Sequence, residues 1–196
     1  EGSCLPSGSR VSSGIGGTIT VAGDQAIGLS LAAPVTGDVF LRSISVAGTG
    51  STLISVTAPL TGNLTLAGSN SNSGGGGYGI LVAAPISGTL RNAGSISLGT
   101  STSLNAAGTG TVPGLIGLAG IRVSSDVGGG ILNDRYYIDS TGAEVPPAMV
   151  NTATNTLVTG TVVTTGSAPA LLVAPTGTNP QAVNIGAGAD GYGIVN

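Results

Sequence analysis

Four carboxylates fall within one short part of the chain: Asp126, Asp134, Asp139 and Glu144. Arg122 and Arg135 stand beside them, and Tyr136 and Tyr137 follow directly. Two carboxyl groups across a groove can protonate and attack a glycosidic bond, and a basic residue over the groove can serve a lyase. The same oxygens could hold Ca²⁺, and the tyrosines could stack on a sugar ring. A catalytic pair, however, needs two neighbouring structural units to bring their acids together. These residues therefore read as solvated groups on an irregular unit and its insertion. The expectation is no catalytic, cofactor-binding or metal site, and no cofactor.

Other chemistry is bounded by what the chain lacks. It has no His, which excludes Ser-His-Asp and Cys-His sites and zinc sites built from Cys and His. It has no Lys, so no phosphate loop ending in Gly-Lys exists. The stretch "GAGADGYG" (186–193) resembles one glycine-rich calcium nonapeptide, but one copy without tandem partners makes no site. Cys4, the only cysteine, reads as an incidental thiol in a polar arm, the alternative being a cross-link to another chain.

Composition narrows the class. Of 196 residues, 40% are hydrophobic but only 3% aromatic, so aliphatic side chains must fill the core. Charge is 7%, which with a mean hydropathy of +0.45 argues for a folded chain rather than a disordered one. The net charge of −3 and five arginines offer no basic stripe for phosphates, so nucleic acid is excluded as a partner. The apolar run "VPGLIGLAGI" (112–121) is too short to span a bilayer, which takes about 20 residues. No membrane insertion is expected. The chain begins with Glu1 rather than Met, so processing or trimming is expected.

The residues that could do chemistry are carried by a repeat. "AIGLSLAAPVTGDVFL" (26–41), "STLISVTAPLTGNLTL" (51–66) and "GYGILVAAPISGTLRN" (77–92) share one pattern, and "LAGIRVSSDVGGGILN" (118–133) puts Asp126 where Pro85 stood. Anchors at Leu29, Ile54, Ile80, Ile121, Leu171 and Ile194 are separated by 25, 26, 41, 50 and 23 residues. Such periods mark a solenoid, the long intervals carrying insertions. From each anchor alternate residues point to one side, as in Leu29/Leu31, Ile54/Val56 and Ile80/Val82.

A second strand family reads "GTITVAG" (17–23), "RSISVAG" (42–48), "GNLTLAG" (62–68) and "GSISLGT" (94–100). "DRYYIDS" (134–140) and "QAVNIGAG" (181–188) look like degraded copies. A third, short strand follows the Ala-Pro unit at Val39–Leu41, Leu90–Asn92 and Ile131–Asn133. Pro34, Pro59 and Pro85 then end strands, and Gly37, Gly62 and Gly88 turn the corner with positive φ.

The fold class is therefore all-β, a right-handed parallel β-helix (β-solenoid) with inserted loops. A sandwich of short antiparallel strands would explain the alternation but not the same corner recurring at 25 and 26 residues. Residues 1–13 form a polar N-terminal arm, and 14–196 form the β-helix, with insertions near 69–77, 100–115 and 140–155. Outward pairs Thr18/Thr20, Ser43/Ser45, Asn63/Thr65 and Ser95/Ser97 would stack into a flat hydroxyl face. Such a face could bind ice or a glycan, or meet another copy.

The repeats "TITVAG…LSLAAPVTGDV" and "ISVAG…ISVTAPLTGNL" resemble the passenger region of bacterial autotransporter-type β-helical surface proteins, over roughly residues 11–132. The resemblance implies a secreted rod on the extracellular surface of a Gram-negative cell, with structural or adhesive roles. The expected function is a non-enzymatic extracellular structural or adhesive protein. The alternatives are a carbohydrate-active β-helix enzyme and a glycan- or ice-binding solenoid. Acids converging in a groove would favour the enzyme; a bare polar face would favour the binder. "DGYGIVN" (190–196) repeats "GGYGILV" (76–82), as if a new coil began there. Partners are expected to be other copies of the chain, stacked head to tail into a filament or array, and surface glycans.

Overall fold

The structure, a computed structural model, describes residues 11–12, 17–99, 103–104, 111–112, 118–141, 144–145, 149–175, 181–188 and 191–196. Cys4, most of the 1–13 arm, much of the 100–115 insertion, and Ala189 and Asp190 within "GAGADGYG" lie outside the described residues. The described residues are all-β with almost no helix, and the main sheets are parallel. This is the arrangement a β-solenoid has.

The Ala-Pro strands build a front sheet: Ile27–Leu31, Thr52–Val56, Tyr78–Val82, Ala119–Val123 and Leu171–Val173, all paired in parallel. Its register puts Leu29, Ile54, Ile80, Ile121 and Leu171 in one column, and Leu31, Val56, Val82, Val123 and Val173 in the next. Stacking at the roughly 4.8 Å spacing of paired strands places like on like. Ile54, Val56, Ile80 and Val82 are fully buried as a result. Removing each such side chain from water contributes about 1.5–3 kcal/mol.

After the Ala-Pro unit a narrow corner sheet follows. Val35–Thr36 pairs with Leu60–Thr61, and single bridges continue the column through Ile86, Val127 and Ile185. The proline carbonyls carry the ladder here: Val35 N–H donates to Pro59 O at 3.0 Å and Leu60 N–H to Pro85 O at 2.9 Å. Asp126 keeps that role in Pro85's position, its carbonyl accepting from Ile86 N–H at 2.9 Å. Gly37 and Gly62 have φ of 124° and 146°. Gly88 is not among the positive-φ glycines, and it is needed for a different reason. A β-carbon there would lie 2.6 Å from the carbonyl oxygen of Gly62.

The long sheet closes each coil. Its first half stacks Val39, Leu64, Leu90, Ile131 and Ile194. Its second half stacks Ile19 on Ile44, Val21 on Val46 and Asn72, and Ile96 on Asn70 and Val162. Val11–Ser12, from the arm, lies parallel to Val39–Phe40.

Several expectations are corrected by this register. Ile194 is no front-sheet anchor; it pairs with Ile131. Leu64 and Leu66 belong with the third strand family rather than the second, because Leu64–Asn72 and Leu90–Leu98 are nine-residue strands in which both families run together. Residues 69–72, expected in an insertion spanning 69–77, lie inside that first strand, with Asn70 and Asn72 buried. The interval from Ile54 to Ile80 leaves no room for a loop, since it exceeds the previous interval by a single residue. That residue makes a bulge near Gly68: Arg42 pairs with Ala67, but Ser45 pairs with Ser71.

The two long intervals hold the real departures from the coil. One opens after Gly99, whose N–H donates to Asn72 O at 2.9 Å, and closes at Leu118, whose N–H donates to Gly77 O at 2.7 Å. Within it Ser103–Leu104 pairs antiparallel with Thr111–Val112. The other spans 135–159 rather than 140–155, because "DRYYIDS" is no coil strand. Arg135–Ile138 sits antiparallel between Glu144–Val145 and Thr156–Thr159. Gly160 N–H to Asp134 O, at 2.7 Å, closes its neck. The coil strand in its place is Thr161–Thr164, parallel to Ser95–Leu98. "QAVNIGAG" likewise supplies the corner residue Ile185.

Candidate functional site

Asp126, Asp134 and Asp139 each bond to a different partner. Asp126 sits on the corner, its Oδ1 accepting from Asn184 N–H at 2.8 Å and from Asn184 Nδ2 at 3.2 Å in the next coil. Asp134 ends the long-sheet strand Ile131–Asn133 and meets Arg91 of the coil before, Oδ1 to Nε at 3.3 Å and Oδ2 to Nη2 at 3.4 Å. Asp139 caps its own turn, accepting from the N–H of Thr141 at 2.8 Å and from its hydroxyl at 2.6 Å. Glu144 pairs through its backbone with Ile138, and Arg135, Tyr136 and Tyr137 lie on the same inserted sheet. Among the described residues no three His, Cys, Asp or Glu gather as metal ligands.

Arg122 faces outward from the front sheet, in register with Leu81. Its Nη1 donates to the Tyr78 hydroxyl at 3.0 Å, and its guanidinium lies 5.7 Å from that ring's centroid. The guanidinium thereby makes a cation–π contact with the ring.

Asp126 belongs to a wider pattern. Asp24 Oδ1 accepts from Thr49 N–H, and Asp38 Oδ1 from Asn63 N–H, each at 2.9 Å. Asn63 Oδ1 then takes Thr89 N–H at 2.8 Å and the Thr89 hydroxyl at 2.9 Å. Each carboxylate or amide thus satisfies a backbone donor one coil further on, where a turn interrupts the ladder. These polar groups act as staples between coils.

The hydroxyl face exists but is composed differently from expectation. Its continuous column is Thr20, Ser45, Ser71 and Ser97, ending at Val163, and beside it run Ser69, Ser95 and Thr161. Asn63 and Thr65 are not in it, because residues 64–67 stack on Val39–Arg42, and it is Ser71, further along the same nine-residue strand, that meets Ser45. Ser43 stands at a corner with φ of 45°. Ser71 and Ser45 hydroxyls lie 3.4 Å apart, and those of Ser95 and Ser69 3.5 Å. Four coils at about 4.8 Å and two columns give a strip on the order of 200 Å², a quarter of the roughly 800 Å² per partner of a stable protein interface.

The asparagines were not anticipated from the sequence. Asn70 Oδ1 accepts from Ile44 N–H at 2.9 Å, while its Nδ2 donates to Ala67 O at 3.0 Å and Ser95 O at 3.1 Å. One buried amide therefore ties three coils. Asn92, Asn133 and Asn196 form a second ladder, Nδ2 to Oδ1 at 2.8 Å and 2.6 Å. A signal for that ladder was present: "LRN", "ILN" and "IVN" (90–92, 131–133, 194–196) are three copies of one triplet with Asn in the same place.

Comparison of the chain with protein-family models, with curated proteins and with solved structures returns no match.

Proposed function

We propose that the chain is a non-enzymatic structural or adhesive protein of the extracellular cell surface, built as a right-handed parallel β-helix and similar in design to an autotransporter passenger. The observation that carries the reading is where the polar chemistry goes. Asp24, Asp38 and Asp126 hold backbone donors of the following coil, and Asp134 holds Arg91 of the preceding one. A carboxylate committed to the stack is poorly placed to shuttle a proton or attack a sugar. The low charge and aliphatic core suit a rod whose task is length and durability.

Head-to-tail association belongs to the same proposal. Coil after coil repeats one parallel register, as at Leu29, Ile54, Ile80 and Ile121. A parallel strand edge of this kind is a template on which a further coil can pair. Negative-stain microscopy of secreted material tests both parts, with rods or filaments expected at the cell surface. Light scattering showing a concentration-independent monomer for residues 1–196 would overturn the association. A glycan-degrading activity lost on Asp126→Ala or Asp134→Ala would overturn the non-enzymatic reading.

A further inference from the structure

We draw no further inference here: the strongest candidate, the outward hydroxyl face of the long sheet over Thr20, Ser45, Ser71 and Ser97, belongs to the site already described, and nothing in the structure shows what covers it.

Discussion

Gly79 on the front sheet faces Ile96 on the long sheet so closely that a β-carbon on the glycine would lie 2.8 Å from the isoleucine Cγ2. The same opposition recurs at Gly28, where the distance to Ile44 Cγ2 would be 2.6 Å, and between Gly120 and Val162. In the intervening coil the front-sheet position is Leu53 and the long-sheet position is Asn70. A large residue on one sheet goes with a small or polar one on the other, so every coil fills the same cross-section.

Gly79→Ala should destabilise the fold by about 1–3 kcal/mol, the range for overpacking a filled core. The β-carbon meets the Gly120 carbonyl as well as Ile96 Cγ2, so Ile96→Ala, which removes that methyl, should relieve only part of the clash in the double variant. Urea unfolding of the two variants and the double variant measures it. A Gly79→Ala protein as stable as the parent would show that the coil has slack.

Leu53 and Asn70 should be coupled. Leu53→Gly alone leaves a cavity costing about 2–5 kcal/mol, and Asn70→Ile alone orphans the Ile44 N–H and crowds the coil. Together they restore the glycine–isoleucine pairing of the neighbouring coils, so a double-mutant cycle should give an interaction of at least about 0.5 kcal/mol in the favourable direction. Strict additivity would contradict the packing account.

Asn70→Ala should cost about 1–3 kcal/mol, because the Ile44 N–H loses its acceptor in a dry interior. Asn70→Asp should be no better. A carboxylate keeps that acceptor but cannot donate to the carbonyls of Ala67 and Ser95. Thermal melts of both variants provide the check.

Asp126→Ala should lower stability by about 0.5–2 kcal/mol, the range for losing a side-chain cap on a backbone donor, and Asp126→Asn should recover most of it. The rescue matters: an amide oxygen still accepts from Asn184 N–H, whereas a catalytic carboxylate would not be replaced by it.

Joining Asp134 to Gly160 and deleting 135–159 should leave the coils intact, since the two residues already share a hydrogen bond. A far-UV CD spectrum that keeps its β-sheet shape, less the contribution of the inserted strands, and a melting temperature within a few degrees of the parent are expected. Loss of cooperative unfolding would mean that the inserted sheet supports the stack.

The front sheet was legible because its signal is local and repeated: an anchor, an alternation and an Ala-Pro corner at each turn. The long sheet was read less well. Its two strand families fuse where the bend is shallow, at Leu64–Asn72 and Leu90–Leu98, and one extra residue near Gly68 shifts the second half relative to the first. The fusion hid Ser69 and Ser71 from the hydroxyl column, because "GNLTLAG" resembles the second family yet stacks on Val39–Arg42. Asn70 and Asn72 were missed for a related reason. An asparagine among glycines and serines looks like a loop, and only its partners one coil away make it a core residue. For the acids the structure adds what the sequence does not show: Asp126 and Asp134, near in sequence, stand on different edges of the coil and hold groups of different coils.

The ladder bonds from Val35 to Pro59, Leu60 to Pro85 and Ile86 to Asp126 all run between successive coils, along the direction in which the coils stack. A tensile load applied along that axis therefore bears on the bonds of one outermost turn before reaching the next. Such a rod peels rather than snaps. It lengthens in steps of one turn's contour, some 25 residues or about 80–90 Å of extended chain for a plain turn and more for a turn that carries an insertion, and each step dissipates work while the remaining turns stay closed. Tethered between two surfaces, it would behave as a shock absorber whose capacity is set by the number of turns.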